Sequence, residues 1–274
     1  MIDTHAHLQY DCFASNLEGY LERAVHVGIT HHIVPGIDIP SSRESIALAQ
    51  AHSATAATVG IHPYLVLSIV RGETTLESLQ SEFEKLVAIS ATEIVAIGEC
   101  GLDYHYFKRE HIHKDLIEKH KSLQKSLLMI QVAAAQKYNL PLILHTRDSE
   151  EETVSLMQKQ LKNLSRPILF HCCPPNDQLL TFALEHSFYI GVDGDVTYDK
   201  VKQEFVKRVP LDLLLLETDS PYLMPEPVRR QTRYPNEPAH LIYVAQKVAE
   251  LKGVPVETID TRTTQNAKAA FSLT

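Results

Sequence analysis

Short apolar segments alternate with longer amphipathic segments along most of the chain. The short segments are rich in Val, Ile and Leu, and their length is typical of buried β-strands. Eight strands are predicted in this way, at Ile2 to His5, His32 to Pro35, Ala57 to Ile61, Ile94 to Gly98, Leu142 to His145, Ile168 to His171, Phe188 to Val192 and Leu213 to Glu217.

The longer segments place apolar residues at helical spacing and predict amphipathic helices between and after the strands. These are Leu17 to Val27, Ser42 to His52, Leu76 to Ser90, Leu116 to Tyr138, Glu150 to Lys162, Pro238 to Leu251 and Pro255 to Phe271.

Strands that alternate with helices indicate parallel βα units. Eight such strands, with no Gly/Ser-rich or charged linker between two halves, favour a closed (β/α)8 TIM barrel over a doubly wound open sheet. A distorted barrel of seven strands is the alternative. The chain has 274 residues, which suits one barrel of about 250 residues, so we expect a single domain over residues 1–274.

Composition narrows the class of protein. The chain is 44% hydrophobic and 22% charged, which is typical of a globular protein. The sequence has no apolar run of about 18 residues and no basic, apolar leader, so we expect no membrane span, no cleaved signal and a cytoplasmic location. Four cysteines without disulfide or zinc-knuckle spacing are expected to be reduced thiols.

The net charge of −8 argues against a surface that grips duplex nucleic acid through many phosphate contacts. Any nucleic acid must therefore be held locally. The sequence carries no sign of an obligate protein partner, and it leaves the oligomeric state open.

Two histidines stand one residue apart at the beginning of the chain. Residues i and i+2 of an extended strand point to the same face, so His5 and His7 can present both imidazoles to one metal ion. In a chain with 15 histidines, the alternative for an isolated pair is chance.

Other ligand-type residues also follow or end predicted strands. The catalytic groups of a parallel barrel lie at the carboxyl ends of its strands, so these side chains should converge. Each alone has a structural alternative, as a buried core histidine or a helix-capping carboxylate, but the joint pattern predicts a metal centre. The set is His5, His7, Glu99, His145, His171 and Asp219.

Four imidazoles and two carboxylates exceed what one tetrahedral zinc with an open position would use. They suit two ions bridged by a carboxylate. We expect His5, His7 and Asp219 on one ion, His145 and His171 on the other, and Glu99 between them. Mixed nitrogen and oxygen ligands suit Zn²⁺, Mn²⁺ or Mg²⁺ without choosing among them.

Several longer motifs are spread from one end of the chain to the other. They are DTHAHL (3–8), GIHP (60–63), GECGLDY (98–104), PLILHTRD (141–148), FHC (170–172), ETDSPYLMP (217–225), NEPAH (236–240) and NAKAAF (266–271). Together they resemble the TatD family of metal-dependent deoxyribonucleases, and GECGLDY and ETDSPYL are specific to that family rather than to the wider hydrolase superfamily.

The resemblance implies a TIM-type barrel, one or two divalent ions and hydrolysis of phosphodiester bonds in DNA, commonly by removing nucleotides from a 3′ end. The family's metal ligands fall on the same six residues that the strand ends identify. The implied reaction is attack on phosphorus by a metal-activated water, with Asp219 as the catalytic residue that orients this water and accepts its proton. The expected substrate is single-stranded DNA or DNA 3′ ends.

Substrate contacts are expected from two residues near strand ends. His62 follows the third strand and Arg147 follows the fifth, so both can reach a phosphate, and arginine matches phosphate geometry with paired donors. The alternatives are a structural loop histidine for His62 and an exposed ion pair for Arg147. Asp103 and Glu217 are candidates to orient ligating histidines rather than to catalyse.

Two features depart from the family pattern. After His171 the family usually continues with an aromatic residue and Ser-Gly, whereas this chain reads Cys-Cys-Pro-Pro-Asn over 172–176. The segment 105–125 is longer than usual and rich in Lys, Arg and His, which predicts either a loop that guides a phosphate strand or a solvated helix face. Tyr104 and Tyr106 either stack on a base or pack against the helix.

Two other functions stay open. The same dinuclear site can hydrolyse small esters, amides or lactones, because fold and ligand set do not fix the bond that is cleaved. A noncatalytic scaffold is the second alternative, but such a protein has no need of six convergent metal ligands.

Overall fold

The computed structural model describes residues 1–232 and 234–273. Within this part of the chain, eight parallel strands form one sheet in sequence order. They are β1 (Ile2–Asp3), β2 (His31–Pro35), β3 (Thr55–Val59), β4 (Ile94–Asp103), β5 (Leu142–Arg147), β6 (Ile168–Phe170), β7 (Tyr189–Val192) and β8 (Leu214–Leu216).

Backbone hydrogen bonds just beyond the strand ends close the sheet between β8 and β1. The Thr4 N–H donates to the Leu216 carbonyl at 3.0 Å, and the His7 N–H donates to the Ser220 carbonyl at 2.8 Å. Ala6 and Ser220 form an isolated parallel bridge between these segments. The predicted (β/α)8 barrel is therefore confirmed, and the alternative with seven strands is wrong.

The seven predicted helices are present, with ends that differ from the prediction by at most three residues. They are α2 (Leu17–His26), α3 (Ile39–Ala51), α5 (Leu76–Ser90), α7 (Lys114–Tyr138), α8 (Glu150–Gln160), α11 (Leu241–Lys252) and α12 (Val256–Phe271). The pattern did not predict the shorter helices α1 (Asp11–Ala14), α4 (Val66–Val70), α6 (Tyr106–Arg109), α9 (Asp177–His186) and α10 (Lys200–Arg208).

Strand β4 is longer than predicted, because it continues past Gly98 to Asp103. Its register with β5 shifts between Ile97 and Cys100, where β4 has one more residue than β5. Such a bulge redirects a side chain, and the residue at the bulge is Glu99. Gly101, with φ +145°, makes the close approach possible, because an added Cβ would overlap the backbone carbonyl of His145.

The inward-facing side chains differ between the two ends of the barrel. Ile143 and His145 are two residues apart on β5, and Leu169 and His171 are two apart at the end of β6, so each pair shares a face. Ile143 and Leu169 pack in an apolar cluster with Phe271 of α12. One end of the barrel is therefore filled by apolar side chains and α12, and the histidines lie toward the other end.

In the part of the chain that the structure describes, no helix combines the length and the apolar character needed to cross a membrane. All four cysteines are free thiols, as expected. The cytoplasmic location and the single domain over 1–274 stay predictions.

Candidate metal centre

The six predicted ligands meet at the carboxyl-terminal mouth of the barrel. Their burial ranges from 0% exposure for His5 to partial exposure for His145 and Asp219. Two corrections apply to their placement. Glu99 lies inside β4 and His145 inside β5, whereas the sequence placed Glu99 after its strand and His145 at the strand end.

Glu99 occupies the middle of the cluster. Its Oε2 lies 3.4 Å from His5 Nε2 and 3.9 Å from His7 Nε2. Its Oε1 lies 2.9 Å from His145 Nδ1 and 3.9 Å from His171 Nε2. A carboxylate whose two oxygens face different imidazoles has the arrangement of a ligand that joins two ions.

Asp219 approaches the cluster from the β8 side. Its Oδ1 lies 3.4 Å from His7 Nε2 and 3.6 Å from His171 Nε2. Its backbone has φ +50°, a left-handed conformation that Asp adopts more readily than most residues. Its N–H donates to the carbonyl of His5 at 2.9 Å, which ties the β8 loop to the end of β1 and fixes the carboxylate beside the histidines.

Within residues 1–232 and 234–273, four groups of side chains bring ligand atoms within 4.8 Å of one another. The sequence assigned His145 and His171 to one ion, whereas these groups join His145 with His62 and His171 with His5. The division of ligands between ions therefore stays a prediction. The groups are His5, His7 and Asp219; His5, Glu99 and His171; His62, Glu99 and His145; and His171, Cys172 and Glu217.

The His5 imidazole is fully buried and forms no hydrogen bond within the described residues, although its Nε2 faces Glu99 Oε2 at 3.4 Å. His7 Nδ1 forms no hydrogen bond either. A buried polar group left unpaired costs about 1–3 kcal/mol, and an ion bound at this point would satisfy it. Burial, followed by repulsion from His171, lowers the pKa of His5, which keeps the ring in the neutral form that binds metals. The residues present thus fit a divalent ion.

Glu99 is ionised in spite of its burial. Burial alone raises the pKa of this carboxyl, but the nearby His62, the hydrogen bond with His145 and the nearby His171 together hold it well below its usual range. The cluster therefore contains a carboxylate in the charge state that a divalent cation requires.

Two further carboxylates contact the ligating histidines from outside. Glu217 Oε1 lies 3.2 Å from His171 Nδ1, and Asp103 Oδ2 lies 3.2 Å from His145 Nε2. Burial opposes protonation of both rings. Asp103 and Glu99 together outweigh it at His145 and raise the pKa to about 9. Glu217, with Glu99 and Asp219, outweighs it at His171 and raises the pKa to about 10. Both carboxylates therefore lie where the sequence placed orienting partners.

His62 lies closer to the ligands than a substrate contact requires. Its Nε2 is 3.6 Å from Glu99 Oε1, and its ring stands 4.5 Å from that of His145 between centroids. Its Nδ1 accepts a hydrogen bond from the Tyr64 N–H at 3.3 Å, so the residue also shapes its loop. The sequence analysis did not include His62 among the ligands, although its position after β3 matched the rule that selected the other six.

Arg147 is the last residue of β5 rather than part of the following loop, and its side chain is exposed. Among residues 1–232 and 234–273, no carboxylate pairs with its guanidinium within 4.0 Å. The ion-pair alternative is therefore wrong for the described residues, and the cation is free to meet an anion.

The basic segment 105–125 is mostly helix, and its cations face acids. Lys108 lies 3.6 Å from Asp148, and Lys125 lies 2.6 Å from Glu152. These contacts support the solvated helix face rather than a loop that guides a phosphate strand. His120, from the same segment, is buried at 1% exposure.

The two tyrosines beside this segment pack rather than project. Tyr106 is 1% exposed and forms a 2.5 Å hydrogen bond with His120, while Tyr104 is 9% exposed and donates to Glu152. Base stacking by Tyr106 is therefore wrong, and the packing alternative is confirmed for both rings. Two other tyrosines, Tyr10 and Tyr222, contact the ligand His7 and were not predicted from the sequence.

Comparison with known proteins gives a consistent result over the whole chain. Residues 2–272 match the family described as TatD related DNase. An uncharacterized metal-dependent hydrolase of Bacillus subtilis (strain 168), YabD, is 33% identical over 275 residues, which cover 100% of this chain and 99% of the relative. A protein of Pantoea ananatis (strain LMG 20103) named 3′-5′ ssDNA/RNA exonuclease TatD is 30% identical over 278 residues and 100% of both chains.

A solved structure shares the architecture. The crystal structure of YJJV, a TatD homologue from Escherichia coli K12, has a TM-score of 0.86 and 26% sequence identity. The match covers 100% of this chain and 98% of that chain. The same overall architecture is thus found in a solved TatD homologue.

Proposed function

The chain belongs to the TatD-related DNase family of metal-dependent hydrolases, and on that premise we propose that it is a 3′-5′ exonuclease of single-stranded DNA. The observation that carries the proposal is the position of Glu99, whose two oxygens face four histidines at the mouth of the barrel. The name of the Pantoea relative refers to single-stranded DNA and RNA, which supports the same class of substrate.

The proposed site holds two divalent ions, either Zn²⁺, Mg²⁺ or Mn²⁺. Ions in such a site lower the pKa of water and neutralise charge on a phosphate. The ligands are the six predicted residues. His5 supports this assignment, because its buried Nε2 faces the Glu99 carboxylate at 3.4 Å without forming a hydrogen bond.

Asp219 is the proposed proton acceptor. Its side chain is 14% exposed, whereas that of Glu99 is 5% exposed, so Asp219 is the more accessible of the two carboxylates to water at the mouth. A general base must lie within hydrogen-bond reach of the proton that it takes. Because its backbone is tied to His5, Asp219 orients the attacking water without moving.

The phosphate of the substrate is proposed to meet Arg147 and His62. Arg147 offers paired N–H donors that match two phosphate oxygens, and its exposed guanidinium pairs with no carboxylate in the described chain. His62 presents Nε2 toward the ligand cluster. With Nδ1 accepting from the Tyr64 N–H, the neutral ring carries its proton on Nε2, which suits it to donate to the bound phosphate.

The test is cleavage of DNA labelled at its 5′ end by protein loaded separately with Mg²⁺, Mn²⁺ or Zn²⁺. We expect a ladder that shortens from the 3′ end on single-stranded DNA, slower cleavage of duplex DNA, and no cleavage of a 3′-blocked strand. Glu99→Gln should abolish cleavage while circular dichroism stays unchanged. A matched single-stranded RNA shows whether the ribose matters.

Two results would reverse the proposal. If DNA and RNA remain intact while the loaded protein hydrolyses a lactone, a carboxylic ester or a phosphotriester, the same centre serves the small-substrate alternative. If metal analysis finds less than one equivalent after soaking with Zn²⁺ or Mn²⁺, the scaffold alternative applies instead.

A further inference from the structure

Two tyrosines stand beside the ligand His7 at the barrel mouth. The ring of Tyr10 stacks on His7, with 4.8 Å between centroids and 15° between planes. The ring of Tyr222 meets both His7 and Tyr10 edge-on, at 6.3 Å from each. One tyrosine comes from the loop after β1 and the other from the loop after β8, so the seam of the barrel brings them together.

Tyr222 is exposed although it adjoins a buried cluster. Its exposure is 49%, and that of Tyr234 in the same loop is 55%. The exposed ring of Tyr222 and the half-buried ring of Tyr10 therefore form an aromatic surface beside His7.

The loop that carries Tyr222 is held in place by hydrogen bonds to its backbone. Asn236 is buried, and its Nδ2 donates to the carbonyls of Thr218 at 3.0 Å and Tyr222 at 2.7 Å. The His7 N–H donates to the carbonyl of Ser220. Because these contacts use main-chain atoms, the Tyr222 side chain is not needed to anchor the loop, and packing does not account for its exposed ring.

We propose that Tyr10 and Tyr222 form a stacking shelf for the bases of a single-stranded nucleic acid whose terminal phosphodiester lies at the metal centre. Here the name stacking shelf means these two residues. The inference rests on the proposed exonuclease function and extends it by assigning the residues that hold the strand beyond the scissile bond.

Stacking suits this molecule better than electrostatic attraction does. The net charge is −8, and the cations of the segment 105–125 are partly neutralised by acids. A base stacked on an aromatic side chain tightens binding by about fivefold to a hundredfold, whatever the base. Bases in a duplex have no free face to offer, so the shelf selects single strands.

The absence of tryptophan from the chain permits a direct test. Tyr222→Trp introduces one fluorophore at the shelf. Tyr138→Trp introduces one in a half-buried position at the end of α7, just before the amino end of β5 and therefore away from the carboxyl-terminal mouth. Each metal-loaded variant is titrated with an eight-residue thymidine strand that has hydrolysis-resistant phosphorothioate linkages. An abasic strand with the same linkages carries the same charge without bases.

We expect the thymidine strand to quench Tyr222→Trp fluorescence and the abasic strand to leave it unchanged, while Tyr138→Trp responds to neither. In cleavage assays on ordinary phosphodiester strands, Tyr222→Leu should raise KM for the thymidine strand about tenfold with little change in kcat. Tyr222→Phe should restore the KM, because stacking needs the ring and not the hydroxyl.

Equal quenching by both strands, or equal KM values for wild type and Tyr222→Leu on a thymidine strand that both cleave, would overturn the stacking shelf alone. If the wild-type protein cleaves neither strand and the thymidine strand quenches nothing, the proposed exonuclease function and the shelf are overturned together.

Discussion

Glu217 lies against His171, with 3.2 Å between its Oε1 and the Nδ1 of the imidazole. The same oxygen accepts a 2.5 Å hydrogen bond from the N–H of Cys172. The carboxylate is 3% exposed, so both contacts are shielded from water. Through them, Glu217 fixes the His171 ring with its other nitrogen directed at Glu99 and Asp219.

Glu217→Gln should weaken metal binding rather than unfold the barrel. The amide keeps the size of the side chain and can still accept from Cys172, but it removes the charge that makes His171 a stronger ligand. We expect metal affinity to fall about 10- to 100-fold, measured by competition with a chromophoric chelator, and activity to return at high metal concentration. Glu204→Gln, at an exposed site on α10, is the control and should bind metal like the wild type.

The ligand set was predictable because its signal is local. Each ligand follows or ends an apolar run, and the parallel barrel brings those ends together whatever the loops do. The bulge that aims Glu99 inward was not predictable, because it depends on the close contact between Gly101 and His145 across two strands.

Other features lacked any local signal. Tyr10 and Tyr222 are 212 positions apart in the sequence, so no spacing rule joins them. For the basic segment the pattern left two alternatives open, since it shows the cations but not Glu152, which reaches them from another helix. The sequence therefore predicts which end of the barrel carries the metal centre. Tertiary contacts decide which other side chains lie around that centre.

His32 on β2 should make the protein sensitive to mild acid. It is 1% exposed, and burial together with the adjacent His31 lowers its pKa to about 4. The unfolded chain binds a proton near pH 6.5, whereas the folded chain does so only near pH 4, so stability is lost as the pH falls through that window. Between pH 7 and pH 5, this residue should reduce the free energy of unfolding by about 2 kcal/mol.

The measurement is urea unfolding of wild type and His32→Leu at both pH values. Other groups titrate in the same range, so the informative quantity is the difference between the two proteins. The variant should lose about 2 kcal/mol less than the wild type between pH 7 and pH 5. An identical loss in both proteins would show that His32 is protonated in the fold.

Arg147 and Lys108 should differ in their effect on substrate binding. Arg147 has no carboxylate partner in the described chain, whereas Lys108 is 80% exposed and lies 3.6 Å from Asp148. Arg147→Ala should therefore raise KM for single-stranded DNA and reduce the salt slope of binding by about one phosphate contact. Lys108→Glu should leave the slope unchanged. A large change in slope for Lys108→Glu alone would restore the basic segment as the path of the strand.

Lys202 of α10 is buried at 1% exposure beside two aspartates. Its Nζ lies 3.2 Å from Asp193 Oδ2 and 3.5 Å from Asp195 Oδ1. Burial raises the pKa of Asp195, and the Asp193 charge raises it further. At Asp193 burial also acts to raise the pKa, but the Lys202 charge and hydrogen bonds to the carboxylate together lower it. The cluster is therefore built around one buried ion pair between Lys202 and Asp193.

Removing only the lysine should leave an uncompensated buried charge. We expect Lys202→Met to lower the free energy of unfolding at pH 7 by about 3–5 kcal/mol, measured by urea unfolding followed by circular dichroism. Lys207→Met, on the same helix but paired with Glu204 at the surface, should cost less than about 1 kcal/mol. The double variant Lys202→Met/Asp193→Asn should recover part of the loss, because the amide carries no charge that would be left buried without a partner. If the double variant is no more stable than Lys202→Met, the penalty comes from lost packing of the lysine stem and not from the unpaired aspartate.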